Sequence, residues 1–151
     1  MLLHAAIDSR LAFVIADCPY ANAADEFAYR LKVEYHLPRF PLLPVASLIS
    51  KLRTGFAFGD AVPLKTIGQV TAPVFFIHGQ ADDYIPPEAS VALHASKPGQ
   101  KQLYLAPGAG HAEALVSNPA VYEAQVREFL AEVLPVERTE ISDRKAVIGN
   151  Q

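Results

Sequence analysis

The chain has 151 residues, of which 51% are hydrophobic, and a formal net charge of −3. This length suits one domain with a hydrophobic core and is too short for two ordinary domains. Apolar runs such as LAFVIA are far shorter than the roughly 20 residues that span a bilayer. The scattered charges offer no basic surface for nucleic acid, and the single cysteine, Cys18, excludes an intramolecular disulfide.

The first third of the chain predicts a strand between helical segments. LLHAAIDSR resembles the last turns of a helix, and LAFVIA, Leu11–Ala16, is typical of a strand that is buried on both faces. Residues 20–59 then hold two helical patterns, Ala23–Tyr35 and Val45–Leu52. The segment between them, LPRFPLLP, contains three prolines, which forbid one continuous helix.

The remaining elements alternate between strand and helix. A short helix is predicted over Leu64–Ile67, strands over Val74–Ile77 and Gln102–Leu105, and a helix over PPEASVALHAS between those strands. Asn118 and Pro119 form an N-cap and first-turn pair for a last helix. The apolar residues of that helix recur with the period of one buried face: Tyr122, Val126, Phe129, Leu130 and Val133.

This alternation predicts the α/β class, with about three parallel strands joined by right-handed crossovers. We expect one domain over residues 1–134, a small helical insertion over residues 20–59 and a mobile tail over residues 135–151. Chemistry in such sheets collects at the carboxyl ends of the strands. Three loops follow those ends here: DCPY, HGQADDYIP and PGAGH.

Two of these loops carry a possible acid and base, Asp82 and His111. Adjacent strand-end loops let a carboxylate reach an imidazole, fix its tautomer and stabilise its charged form, as in a catalytic triad. Either residue alone is better explained as a turn aspartate or a solvated loop histidine. Both together, in the order acid then base and each after an apolar strand, favour a functional pair.

The quoted motifs resemble those of a known superfamily. HGQADDYIP is similar to the HGxxDxxVP signature around the acid loop of α/β-hydrolases, and PGAGHAEA resembles their histidine loop. The stretch DCPYANAADEFAYRLKVEYHLPRFPLLP resembles a bacterial subgroup described as BAAT-like or serine-peptidase-like hydrolases. The likeness covers about Leu2–Leu134 and implies a partial α/β-hydrolase fold in which the insertion takes the place of the lid.

The resemblance also implies roles for single residues. Asp82 matches the triad acid and His111 the triad base. Asp83 is interpreted as a turn or surface residue, although the sequence leaves a swap with Asp82 open. His78 and Gly79 are expected to shape the acid loop rather than to take part in chemistry.

The serine nucleophile of that superfamily sits in a G-x-S-x-G elbow, and no serine of this chain has that context: Ser9, Ser47, Ser50, Ser90, Ser96, Ser117 and Ser142. Cys18 is either a nucleophile without an elbow or, as we favour, a buried thiol at a strand end. The resemblance implies that the chain is the acid-and-base half of a hydrolase, with Met1 a few residues past the serine.

Two functions follow from these expectations. The first is a serine hydrolase of carboxylic esters or peptides, with a small acyl or peptide substrate, that is inactive as this chain alone. The second is a non-catalytic module that acts in binding or assembly. Apolar residues of the insertion either line an acyl pocket or merely pack: Phe27, Tyr29, Tyr35, Phe40, Leu42, Leu43, Phe56 and Phe58.

No cofactor, metal or nucleic-acid partner is expected. The Cys and His residues lack the spacing of zinc ligands. The expected partner is a second copy of the chain, because Leu11–Ala16 carries no charge or proline that would protect an open strand edge. We therefore expect a homo-oligomer formed through this strand.

Overall fold

The computed structural model describes residues 1–134, so the predicted tail over residues 135–151 lies outside the described part. Two short 3₁₀ turns, Phe58–Asp60 and Ile67–Gln69, accompany the regular elements. The helices and strands follow one another in this order: α1 (Leu2–Ala5), β1 (Val14–Asp17), α2 (Ala23–Tyr35), α3 (Leu42–Thr54), α4 (Pro63–Thr66), β2 (Val74–Gly79), α5 (Glu88–Ser96), β3 (Lys101–Ala106), α6 (Ala114–Ser117) and α7 (Pro119–Val133).

The three strands form one parallel sheet in the order β1-β2-β3, as the sequence predicts. Val14 lies opposite Val74, and Val74 lies opposite Lys101. The first strand begins at Val14, later than the predicted Leu11. Pro73 explains this shorter strand, because it precedes β2 and has no N–H with which to extend the ladder.

Helices cover both faces of the sheet. On one face Val14, Ala16, Val74 and Phe76 pack against residues of α1, α5 and the 3₁₀ turn at Ile67. On the other face Phe75 and Ile77 pack against α6 and α7. Burial on both faces explains why β2, the central strand, appears in the sequence as a continuous apolar run.

The last helix presents the predicted apolar face to the sheet. Phe129 is fully buried and its ring lies 5.3 Å from that of Phe75, centroid to centroid. Asn118 stands at the N-cap position, but its side chain does not cap the helix. Its Nδ2 instead donates a hydrogen bond to the Pro107 carbonyl at 3.2 Å, which ties α7 to the loop after β3.

The insertion, residues 20–59, is helical as expected but packs loosely. Helix α2 has the predicted bounds, and Asn22 caps it by accepting a hydrogen bond from the Ala24 N–H at 3.0 Å. Helix α3 begins at Leu42 rather than Val45, because Pro44 lies in its first turn, where no N–H is needed. None of the residues of α3 is buried.

Candidate active site

The loops after β2 and β3 are joined by backbone hydrogen bonds. The N–H groups of Gln80 and Ala81 donate to the carbonyls of Ala106 and Ala109, each at 2.9 Å. The contact at Gly79 is so close that an added Cβ would lie 2.2 Å from the Gly110 carbonyl oxygen. Gly79 is therefore the residue that lets the acid loop lie directly on the histidine loop.

Asp82 lies within this contact and uses its two carboxylate oxygens differently. Its Oδ1 accepts hydrogen bonds from the N–H groups of Tyr84 and Ile85, each at 2.9 Å. Its Oδ2 lies 2.8 Å from Nδ1 of His111. Burial acts to raise the pKa of Asp82, but the hydrogen bonds from His111, Ile85 and Tyr84 outweigh it and lower that pKa below its ordinary value. Asp82 is thus held as a carboxylate that faces the imidazole.

His78 supports the acid loop from inside the protein. Its fully buried ring has Nδ1 at 2.6 Å from Ser90 Oγ and Nε2 at 2.8 Å from the Ile85 carbonyl oxygen. The carbonyl can only accept, so Nε2 donates and Nδ1 accepts from the serine hydroxyl. Nε2 also lies 3.1 Å from Asp82 Oδ2. The residue holds the loop between β2 and α5, as its expected role requires.

Cys18, at the end of β1, forms a third side of the site. Its Sγ, an oxygen of Asp82 and a ring nitrogen of His111 lie within 4.8 Å of one another. Sγ accepts a hydrogen bond from the Ala112 N–H at 3.3 Å, and burial raises the pKa of the thiol to about 11. Cys18 and Ala112 both have a positive φ, 46° and 56°. Such strained backbone in non-glycine residues is concentrated at functional sites.

The insertion reaches the site through α2. The Arg30 guanidinium lies 3.9 Å from the centroid of the Tyr84 ring and donates to the Asp83 carbonyl at 3.0 Å. Tyr29 Oη donates to the same carbonyl at 3.2 Å. The ring centroids of Tyr84 and His111 are 4.9 Å apart. The acid loop therefore lies between the insertion on one side and the imidazole on the other.

Glu26, one turn before Arg30 on α2, adds a carboxyl group beside the pair. Burial raises the pKa of Glu26, and the charges of Arg30, Asp82 and His111 all act on it. One of its oxygens, Oε1, is buried without a hydrogen-bond partner in the described structure. The sequence marks Glu26 and Arg30 only as an ordinary helical i, i+4 pair, so it gives no signal that they lie near the site.

Asp82 and His111 lie close together as expected, whereas the other expectations for the site had different outcomes. Asp83 is exposed and contributes its backbone carbonyl to the contact with α2. Within residues 1–134, no serine hydroxyl is hydrogen-bonded to His111. Phe27 and Phe58 pack on each other, with ring centroids 4.6 Å apart. Other apolar side chains of the insertion remain exposed: Tyr35, Phe40, Leu42 and Phe56.

Solved structures of α/β-hydrolases share the fold of this chain. The Pyrococcus furiosus esterase Pf2001 superposes with a TM-score of 0.62 at 20% identity, over 89% of this chain and 49% of that chain. The α/β-hydrolase GrgF of Penicillium sp. sh18 gives 0.60 at 16% identity, over 87% and 59%. The acylaminoacyl peptidase of Pyrococcus horikoshii gives 0.62 at 15% identity, over 88% and 22%. The chain therefore has a partial α/β-hydrolase fold.

Among known sequences, the uncharacterized protein YqkD of Bacillus subtilis (strain 168) is 44% identical over 118 residues. The match includes 78% of this chain and 39% of that protein. No family model matches the chain. The chain thus spans well under half of this Bacillus protein and about half of the Pyrococcus furiosus esterase.

Proposed function

We propose that the chain supplies the acid and base of a serine hydrolase that cleaves carboxylic esters or, as a second substrate class, peptides. The observation that supports this most strongly is the 2.8 Å contact between Asp82 Oδ2 and His111 Nδ1. Since Nδ1 faces the carboxylate, Nε2 is the ring nitrogen available to take a proton from a nucleophile. The side chain of His111 is 36% exposed while that of Asp82 is fully buried, as a base and its orienting acid require.

The proposed cycle assigns one step to each residue. His111 removes the proton of a serine hydroxyl as the serine attacks the acyl carbonyl, and then returns that proton to the leaving group. Asp82 holds the ring in the Nδ1–H tautomer and stabilises the imidazolium. The motif resemblance to BAAT-like or serine-peptidase-like bacterial hydrolases favours this assignment over the swap with the exposed Asp83.

We propose that the serine and the oxyanion-hole donors come from residues outside this chain. A cleft of about 260 Å³ beside the site is lined by Met1 and Leu2 of the N-terminal segment and by Asp17, Cys18 and Tyr20 after β1. Cys18, whose thiol lies close to His111, lines this cleft, so the cleft is where we propose that the nucleophile enters. The 39% coverage of the Bacillus relative fits such an arrangement.

Complementation tests the catalytic proposal. This chain alone is expected to hydrolyse p-nitrophenyl acetate no faster than its His111→Ala variant, because an acid and a base without a nucleophile have little to act on. Fusion to the part of YqkD that this chain does not match should produce activity. That activity should fall by at least about 10³-fold in His111→Ala and in Asp82→Asn, as for triad members elsewhere.

Two controls define the outcome. Asp83→Asn should keep the activity of the fusion within about twofold, because surface changes outside the site are usually small. A fluorophosphonate probe should label one serine in the fused segment. Full activity of the His111→Ala fusion, or labelling of this chain alone, would contradict the proposal.

The edge of the sheet supports a second candidate, a module for assembly. Within the described residues β1 pairs only with β2, which leaves its other side open. Val14 and Cys18 direct their N–H groups to β2, so the N–H groups of Ile15 and Asp17 point away from it. We propose that this edge pairs with a second copy or with the segment that completes the hydrolase.

Asp17→Pro tests this edge directly. It removes an outward N–H at an exposed position, and the matched control Asp17→Ala keeps the N–H. Lysine at Phe13 or Ile15 would be a poor test, because both side chains pack against the α7 side of the core. Light scattering should show an oligomer for the wild type and Asp17→Ala and a smaller species for Asp17→Pro. A wild-type monomer, or identical assembly in both variants, would refute this candidate.

A further inference from the structure

Three ligating side chains of different chemical types meet at the carboxyl end of the sheet. Within residues 1–134, the ligand atoms of Cys18, Asp82 and His111 lie within 4.8 Å of one another. They come from the loops after β1, β2 and β3, so each is placed by a separate strand. Their wide separation along the chain explains why the sequence shows no metal-ligand spacing.

The donor set is one that zinc prefers. Zn²⁺ accepts thiolate, imidazole and carboxylate ligands in tetrahedral sites, and three protein ligands leave a fourth position for water. Typical zinc bonds of about 2.0–2.3 Å place ligand atoms roughly 3.3–3.8 Å apart. Cys18 Sγ lies within 4.8 Å of the other two ligand atoms and Asp82 Oδ2 lies 2.8 Å from His111 Nδ1, so side-chain adjustments of about 1 Å would bring the three atoms to these distances.

The surroundings also suit a divalent cation. The half-buried Glu26, whose Oε1 is buried without a hydrogen-bond partner among the described residues, interacts electrostatically with both Asp82 and His111. The Ala112 N–H already donates to Cys18 Sγ at 3.3 Å, a hydrogen bond that favours the thiolate and opposes the effect of burial on this thiol. Thiolate and carboxylate together balance the charge of the ion. From this cluster we infer that the chain binds Zn²⁺ through Cys18, Asp82 and His111.

Binding follows a simple balance of atoms and charge. The Cys18 thiol proton passes to the buffer as the metal–sulfur bond forms, and no electron is transferred. The ion engages the carboxylate and the imidazole that the proposed hydrolase would use, so metal binding and proton transfer by His111 exclude each other. The inference goes beyond the proposed function, and metal binding can be measured whether or not hydrolysis is found.

Cobalt binding to this chain tests the site. Co²⁺ added to the folded, reduced protein should produce a sulfur-to-cobalt charge-transfer band and visible d–d bands of a tetrahedral ion, and Zn²⁺ should remove both. Cys18→Ser should abolish the charge-transfer band. His111→Gln and Asp82→Asn should each weaken cobalt affinity by more than about tenfold, since a lost ligand costs at least as much as a lost supporting residue.

A surface histidine provides the matched control. His4, which is exposed, has Nε2 at 3.4 Å from Asp8 Oδ2, and this pair could bind a metal weakly. His4→Gln should leave the charge-transfer band and its midpoint unchanged. Circular dichroism shows whether each variant is folded, and the wild type in urea should lose the band, because the three ligands converge only in the folded chain.

X-ray absorption of the zinc-loaded wild type gives a result that needs no variant. The expected first shell has one sulfur at about 2.3 Å and the remaining ligands nitrogen or oxygen at about 2.0–2.2 Å. A shell without sulfur would overturn the inference. So would the absence of a charge-transfer band at saturating Co²⁺, or a band whose midpoint is the same in His111→Gln and Asp82→Asn as in the wild type.

Discussion

Strand β2 and helix α3 are both apolar in sequence, yet they differ completely in burial. Every residue of β2 is buried, and none of α3 is. The strand lies in the middle of a sheet that is covered on both faces, whereas Leu52 of α3 is 77% exposed. Apolar composition thus indicates burial only where the topology places other elements on both sides.

Truncation of a core ring should show the largest difference between the two regions. Phe75→Ala removes a fully buried ring that packs on Phe129, and it should lower the free energy of unfolding by about 3–5 kcal/mol. Leu52→Ala should change it by less than about 0.5 kcal/mol. Urea unfolding followed by circular dichroism measures both. Equal losses would show that α3 packs as tightly as the sheet.

A smaller effect is expected at the contact between the two site loops. Gly79→Ala places a Cβ against the Gly110 carbonyl oxygen and should cost about 1–3 kcal/mol, as overpacked sites do. Gly68→Ala is the matched control, because nothing lies within 4 Å of its added Cβ. Thermal unfolding compares the two. If Gly79→Ala is as stable as Gly68→Ala, the loops are not held as closely as described.

The contact between Arg30 of the insertion and the acid loop should contribute less again to the free energy of unfolding. Arg30→Ala loses the stacking on Tyr84 and the hydrogen bond to the Asp83 carbonyl, together about 1–2 kcal/mol of unfolding free energy. Arg30→Lys keeps the charge but not the planar fork and should recover less than half. Arg127→Ala, at an exposed pair with Glu123, should have almost no effect. Equal stability of Arg30→Ala and Arg127→Ala would show that this contact does not stabilise the fold.

The smallest expected effect is on the way in which the free energy of unfolding depends on pH. The pKa of Asp82 is lowered in the folded chain, so this carboxylate stabilises the fold above its unfolded pKa of about 3.9. That stability is lost as the pH falls through the lower folded pKa. Urea unfolding from about pH 6 to about pH 3 should show that the free energy of unfolding falls less steeply with decreasing pH in Asp82→Asn than in the wild type. Asp83→Asn is the control, and equal slopes in the two variants would count against the assignment.

The sheet could be predicted well because the sequence patterns that mark its strands are local. Continuous apolar runs mark β1 and β2, and Pro73, whose effect on β1 was not anticipated, shifts only one boundary. The pair of Asp82 and His111 could also be predicted, since parallel strands bring their carboxyl ends to one edge. The catalytic role of that pair stays a prediction.

Contacts that depend on three-dimensional packing could not be predicted. Cys18 approaches His111 only because β1 lies beside β2. Glu26 and Arg30 face the acid loop because of the direction in which α2 packs. The spacing of residues along the chain does not predict that direction. Helix α3 differs from the expectation for the insertion, because Leu42 was expected to line a pocket or to pack and no residue of α3 is buried.

The hydrogen bonds that join Gln80 to Ala106 and Ala81 to Ala109 have a consequence for folding. The first continues the β2–β3 ladder and the second joins the two loops just beyond it, so we expect Asp82 and His111 to meet when the two strands pair. A slip of two residues in that ladder would separate them by roughly 7 Å, so only chains that fold with the native register can have a working pair.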